Sequence, residues 1–278
     1  MTEATLEREP KAPTPSSVPG PPMVQLEALA KRYGSFEAVR GIDLTVPKGT
    51  IFGFLGPNGA GKTTTIRMIS GILKPSAGSV TIGGDDMWDL PERAKSRIGY
   101  IPDRPHVYEK LTGMEFLNFV GGLWGIGGED LEVRADRFLD LFSLSDWKHE
   151  LVESYSHGMR QKLLITSAFI HQPELIVVDE PMVGLDPRAA RLLKDLLRAF
   201  VAQGGTTCLS THTLEVAEAL CDRLAIIAEG RIIASGTMEE LRAQADAGGA
   251  HLEEIFLKVT GGGAMADVIE SLKDAVER

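Results

Sequence analysis

Eight consecutive residues restrict this chain more than any other feature: Gly56-Pro57-Asn58-Gly59-Ala60-Gly61-Lys62-Thr63, set between a short apolar run at 51–55 and a helix-like stretch that opens at Thr64. Glycines free backbone N–H groups to turn inward around an anion. A helix that starts immediately afterwards adds its partial positive charge, and a lysine at the end of the loop reaches terminal phosphates. The Thr63 hydroxyl can ligate Mg²⁺. A glycine-rich turn with an exposed lysine would use the same letters, but it would not need a strand before it and a helix after it. The loop therefore predicts a nucleotide held by residues 56–64. By itself it names no reaction.

The surrounding pattern is that of an α/β chain. Ile42, Leu44 and Val46 alternate as a half-buried strand does, within a strand-rich start from Met23. Later runs at 175–178, 206–209 and 224–228 are short and apolar, and helical patterns such as 187–201 separate them. Strands alternating with helices predict a parallel sheet covered on both faces. Between about 105 and 154 the strand signal is lost, and Phe116, Leu117, Val120, Phe138, Leu139, Leu141 and Phe142 read as helices inserted into the sheet domain.

Composition excludes several classes. A 278-residue chain that is 43% hydrophobic can bury a substantial core. Its formal charge is −10 and no stretch concentrates Lys and Arg, so no nucleic-acid partner is expected. Cys208 and Cys221 lack metal-ligand spacing and read as buried free thiols in a reducing compartment. Residues 1–22 carry prolines at 10, 13, 15, 19, 21 and 22 with few apolar residues, which predicts a disordered tail. They also lack the basic-then-apolar order of a secretory signal. No apolar window is long enough to predict a membrane span. Beyond 242, glycines at 248–249 and 261–263 bracket a short segment, and Met265, Val268, Ile269, Leu272 and Val276 share one helical face.

The run at 175–178 ends in Asp179-Glu180. A strand running into an acidic surface loop would look the same, and the phosphate loop decides between the readings. Beside a bound nucleotide, Asp179 suits the Mg²⁺ shell, and Glu180, one position on, can polarise a water against the terminal phosphate.

These motifs together resemble the ATP-binding subunits of ABC transporters, in consistent order over about 24–242. The most diagnostic piece is Tyr155-Ser156-His157-Gly158-Met159-Arg160-Gln161, which stands where that family has its Leu-Ser-Gly-Gly-Gln signature. Ser156 and Gly158 match; His157 and Met159 depart. Gly184-Leu185-Asp186-Pro187 resembles the family's dimer-facing loop, His212 its switch histidine, and Tyr33 the aromatic that stacks on adenine. Read alone, His212 could be a surface or capping residue and Tyr33 a core residue.

The resemblance implies a P-loop NTPase-like, mostly parallel sheet flanked by helices, with an antiparallel β portion near the N-terminus and an inserted helical subdomain. It implies a nucleotide-binding domain at 23–242, with the helical subdomain at about 105–160, followed by a C-terminal helical extension at 243–278. It further implies that ATP and Mg²⁺ bind and that ATP is hydrolysed, with Glu180 and His212 as catalytic residues. Ser156 and Gly158 would complete the nucleotide site of a second ATPase subunit. Separate transmembrane permease subunits would be the other partners, at the cytoplasmic face of the cell membrane. Tyr108-Glu-Lys-Leu-Thr-Gly-Met-Glu-Phe-Leu and His251-Leu-Glu-Glu-Ile-Phe resemble exporter types in particular. The alternative is a soluble ATPase of the same class acting on ribosomes or DNA; a single motif set and the acidic balance weigh against it. A small-molecule kinase would leave Ser156, Gly158, Asp186 and His212 unexplained. In Ile98-Gly-Tyr-Ile-Pro-Asp103 the family usually places glutamine last. Asp103 either joins the metal shell with Thr63 and Asp179 or makes a surface turn or ion pair beside Arg104.

Overall fold

The computed structural model describes residues 22–244 together with Phe256. The predicted tail, apart from Pro22, and the predicted helix around 265–276 lie outside the described residues.

The chain opens with strands β1 (Val24–Tyr33) and β2 (Phe36–Val46), then β3 (Ile51–Leu55), and helix α1 (Lys62–Ile69) follows the phosphate loop. Next come β4 (Ala77–Ile82), β5 (Asp85–Asp86), α2 (Pro91–Ser96) and β6 (Ile98–Ile101). The inserted helices are α3 (Gly113–Leu123), α4 (Gly128–Leu141) and α5 (His157–Phe169). The remainder alternates: β7 (Leu175–Asp179), α6 (Pro187–Ala202), β8 (Thr206–Thr211), α7 (Leu214–Leu220), β9 (Arg223–Ala228), β10 (Arg231–Gly236) and α8 (Met238–Gln244). The limits expected at 160 and 242 fall inside α5 and α8.

Two sheets result. The first has the order β2-β1-β4-β5 and is antiparallel throughout. The second has the order β10-β9-β3-β8-β7-β6 and is parallel except for β10. Its strands carry apolar residues at consecutive positions because both faces are covered, and successive side chains enter different cores. Ile51, Leu55, Ile176, Val178 and Leu209 pack with α3, α4, α5 and α6 on one side. Phe52, Phe54, Val177 and Cys208 pack with α1 and the antiparallel sheet on the other. Both cysteines are free and buried, in opposite cores.

The inserted helices share the first core with the sheet, so α5 is at once the last helix of the insertion and a cover for β6 and β7. Helix α3 begins at a capping box: the Glu115 N–H donates to Thr112 Oγ1 at 3.2 Å, and the Thr112 N–H donates to Glu115 Oε2 at 2.8 Å. Strand β6 was not foreseen from the sequence. It pairs in parallel with β7, Ile101 opposite Val178.

Candidate active site

Parallel strands deliver their C-terminal ends to one edge of the sheet, where open α/β folds gather their ligands. Here β3 ends in the phosphate loop, β7 ends at Asp179, and β8 runs out into His212. Register fixes the levels: Leu55 lies opposite Thr211, and Asp179 opposite Ser210. Because Ile101 is level with Val178, the chain leaving β6 brings Asp103 up beside Glu180.

The loop fits a phosphate cradle. Gly61 has φ +104°, and a Cβ there would lie 2.5 Å from the Ala38 carbonyl oxygen, so glycine is required by conformation and by space. Gly61 offers α1 no side-chain cap, which leaves the first-turn N–H groups available to an anion. Lys62 is buried, and its Nζ donates to the Gly56 and Pro57 carbonyls at 2.7 and 3.0 Å. Burial lowers its pKa; the charges of Glu180 and then Asp179 oppose that shift. The amine is thus held at the loop on weak neutral acceptors, ready to exchange them for phosphate oxygens.

Asp179 is fully buried. Its Oδ1 accepts from Thr63 Oγ1 at 3.1 Å and from the Ser210 hydroxyl, whereas Oδ2 has no hydrogen-bond partner. Burial raises its pKa; the bonds from Ser210 and Thr63 counter this, and the nearby charges of Asp103 and Glu180 add to it. A buried carboxylate with an unused oxygen beside a hydroxyl is a donor set that fits Mg²⁺, a hard cation that prefers oxygen ligands.

Glu180 adopts φ +51°, a strained conformation for a residue with a side chain. Its N–H is held by the Ser210 carbonyl and hydroxyl, both at 3.2 Å. Its Oε1 lies 2.9 Å from His212 Nδ1. The turn aims the carboxylate into a cleft of about 390 Å³ lined by Asn58, Gly59, Gly61, Lys62, Thr63 and Thr64 from the loop and by Tyr33, Phe36, Asp103, Glu180 and His212 around it. Gly56 and Ala60 are buried behind the cleft, and Pro57 contributes its carbonyl to Lys62. Tyr33 is half exposed, with the Lys31 amine over its ring at 5.6 Å.

Ser156 and Gly158 do not line this cleft. Ser156 is the exposed N-cap of α5, accepting from the Met159 N–H at 3.3 Å. Arg160 holds that turn in place, donating to the Val152 and Glu153 carbonyls and pairing with Glu109 at 2.7 Å. Asp186 caps α6, accepting from the Ala189 N–H at 2.9 Å.

Two site residues were missed in the sequence, Phe36 lining the cleft and Ser210 buried against Asp179. Phe36 faces Tyr33 across the two-residue turn Gly34-Ser35, a hairpin spacing that was there to be read. Ser210 was hidden in an apolar run; a hydroxyl one position before the end of a central strand was its only signal.

The fold and the cleft define a P-loop nucleotide-hydrolase of the α/β class. The family model for ABC transporters matches residues 39–183. The daunorubicin/doxorubicin resistance ATP-binding protein DrrA of Streptomyces peucetius is 41% identical over 220 residues, 79% of this chain and 67% of its own. The Nod factor export ATP-binding protein I of Ralstonia nicotianae is 39% identical over 228 residues, 80% of this chain and 71% of its own. A solved structure of an ATP-binding subunit of an ABC transporter superposes with a TM-score of 0.81 at 34% identity, covering 86% of this chain and 99% of that one. The chain belongs to the ABC transporter family, as an ATP-binding subunit that hydrolyses ATP to energise transport across a membrane. Among the described residues no helix is long and apolar enough to cross a membrane.

Proposed function

We propose that the chain drives an exporter as one of two ATPase subunits, either identical or similar, bound to separate transmembrane permease subunits at the cytoplasmic face of the membrane. Residues 23–242 are the nucleotide-binding domain in this reading. One observation carries it: a single cleft gathers Lys62, Thr63, Asp103, Glu180 and His212, while Ser156 and Gly158 stay outside it. The signature is then free to complete the site of a second subunit placed head to tail. The names of the relatives, drug resistance and Nod factor export, support the export direction.

In the proposed reaction Tyr33 stacks on adenine and loop N–H groups at 56–64 hold the phosphates, with Lys62 moving to the β and γ oxygens. Among the described residues no three His, Cys, Asp or Glu side chains are placed to hold a metal ion by themselves, so Mg²⁺ would take Thr63, Asp179 and the Asp103 carboxylate through water, with phosphate and water oxygens completing its shell. Bound there, Mg²⁺ would neutralise charge developing on the phosphate oxygens. Glu180 accepts a proton from the attacking water. His212, tied to Glu180, offers its ring to the terminal phosphate.

In this reading the membrane partner sits against the inserted helices. A groove of about 240 Å³ between α1, β6 and the insertion is lined by Ile72, Tyr100, Val120, Trp124 and His171. Trp124 and His171 stack there at 4.4 Å, and Phe119 and Leu123 of α3 are exposed beside it.

Glu180→Gln tests the reading. It is expected to keep ATP binding, to lower turnover on the order of 10²- to 10⁴-fold, and to run as a dimer on sizing chromatography in ATP and Mg²⁺. A monomer that still binds ATP, or parental turnover, would refute it. A mild-detergent pull-down from the native cell should retain a multispan protein; ribosomes or DNA alone would favour the soluble alternative.

A further inference from the structure

His157 occupies a signature position where the family has glycine, and its ring has a defined seat. Gly184 has φ +79°, and a Cβ on it would lie 2.4 Å from His157 Cε1 and 2.6 Å from Nδ1. The imidazole of the exposed His157 therefore rests directly on the Gly184 backbone, and a side chain at 184 would displace it. The Gly184 carbonyl in turn lies close to Gly158, 3.3 Å from where a Cβ would stand.

Gly184 is in the middle of the short loop that follows Glu180. Two turns tighten this loop: the Val183 N–H donates to the Glu180 carbonyl at 3.2 Å, and the Leu185 N–H to the Met182 carbonyl at 3.4 Å. At one end Glu180 is fixed to Ser210, and at the other Asp186 caps α6. Sideways, α5 grips the loop twice, through His157 on Gly184 and through Lys162 Nζ at 3.4 Å from Asp186 Oδ2. In a tight loop with only five residues between its two anchors, a movement at Gly184 is passed on to Glu180.

We infer that His157 is a positioning residue for hydrolysis: its ring ties the signature turn to the loop that sets the Glu180 carboxylate, so the two ends of the subunit's catalytic machinery shift together. The inference rests on the head-to-tail pairing proposed above, in which that turn faces the nucleotide of the other subunit. The contact then links the signature offered to one nucleotide with the carboxylate acting on the other.

The test is a double-mutant cycle on the full chain with His157→Ala, Gly184→Ala and the pair, read as kcat and KM for ATP. A misplaced carboxylate costs rate and leaves binding intact, so each single variant should lower kcat about tenfold while the affinity for a fluorescent ATP analogue without Mg²⁺ changes less than about twofold. The ring clash in Gly184→Ala vanishes once the ring is gone, whereas the strain of alanine at φ +79° stays, so the double variant should lose less than the product of the two single losses. His157→Gln, which keeps a planar polar group over Gly184, should recover most of the turnover. Parental kcat in His157→Ala, additive losses in the pair, or no recovery with Gln would each overturn the inference. Mixing Ser156→Arg with Lys62→Ala subunits separates the two levels. One intact composite site should restore partial activity if pairing is head to tail, even where the cycle is additive; inactivity in proven mixed dimers would remove the pairing itself.

Discussion

Ser210→Ala removes one hydroxyl that holds both the Asp179 carboxylate and the Glu180 backbone, and its effect follows from the geometry. The hydroxyl donates to Asp179 Oδ1 and accepts from the Glu180 N–H. The Glu180 N–H keeps the Ser210 carbonyl at 3.2 Å, so the loss falls mainly on Asp179, which is fully buried and retains Thr63 alone. A hydrogen bond to a charged group contributes about 1.5–3 kcal/mol, equivalent to roughly 10- to 150-fold. With Thr63 still bound, the lower end applies, and turnover at limiting Mg²⁺ should fall roughly tenfold. The pH dependence has a fixed sign. Burial already raises the Asp179 pKa and the Ser210 bond lowers it, so losing the bond raises it further. The ionised form needed for Mg²⁺ then appears later on the pH scale, and the acid limb of the turnover profile moves to higher pH. Stability follows the same linkage. Between the unfolded and the raised folded pKa the folded chain holds the extra proton, so the stability contributed by this group is present at low pH and lost as pH rises through that window. The variant widens the window upward. Phosphate release measured across pH at several Mg²⁺ concentrations, with melting temperatures on the nucleotide-free chain, checks both effects. Superimposable profiles for parent and variant would refute the reasoning.

Two further substitutions probe the neighbourhood. Asp103→Asn removes a charge that raises the Asp179 pKa, so its acid limb should move to lower pH, opposite to Ser210→Ala. The Mg²⁺ concentration for half-maximal turnover should rise, and an unmoved titration curve returns Asp103 to a surface role. Gln161 is fully buried and neither its amide nitrogen nor its oxygen has a partner, a penalty of about 1–3 kcal/mol per unsatisfied group. Gln161→Leu should therefore raise the melting temperature, by roughly 2–4 °C per kcal/mol gained; a fall would show that the amide is bonded after all.

How much could be read in advance depended on the range of the interaction involved. The phosphate loop, the strand before it, the acidic end of β7 and the helical insertion are short-range features, written in glycine placement and apolar period, and the sequence alone determined them. Strand β6 escaped because four residues containing a glycine, Ile98-Gly-Tyr-Ile, carry too little pattern to be distinguished from a loop; only pairing with β7 makes them a strand. Asp103 could not be assigned because its level relative to Glu180 is set by that same register. Ser210 became a site residue only when strand pairing set it beside Asp179, and Phe36 when it paired with Tyr33 at the cleft. His157 read as a departure from a motif until Gly184, 27 positions further along the chain, was found beneath its ring. Phe36 apart, which hairpin spacing already sets beside Tyr33, each of these depends on contacts between residues far apart in the chain, which local spacing does not encode, so the tertiary structure alone decided which carboxylates share a cleft and which signature side chain rests on the loop after Glu180.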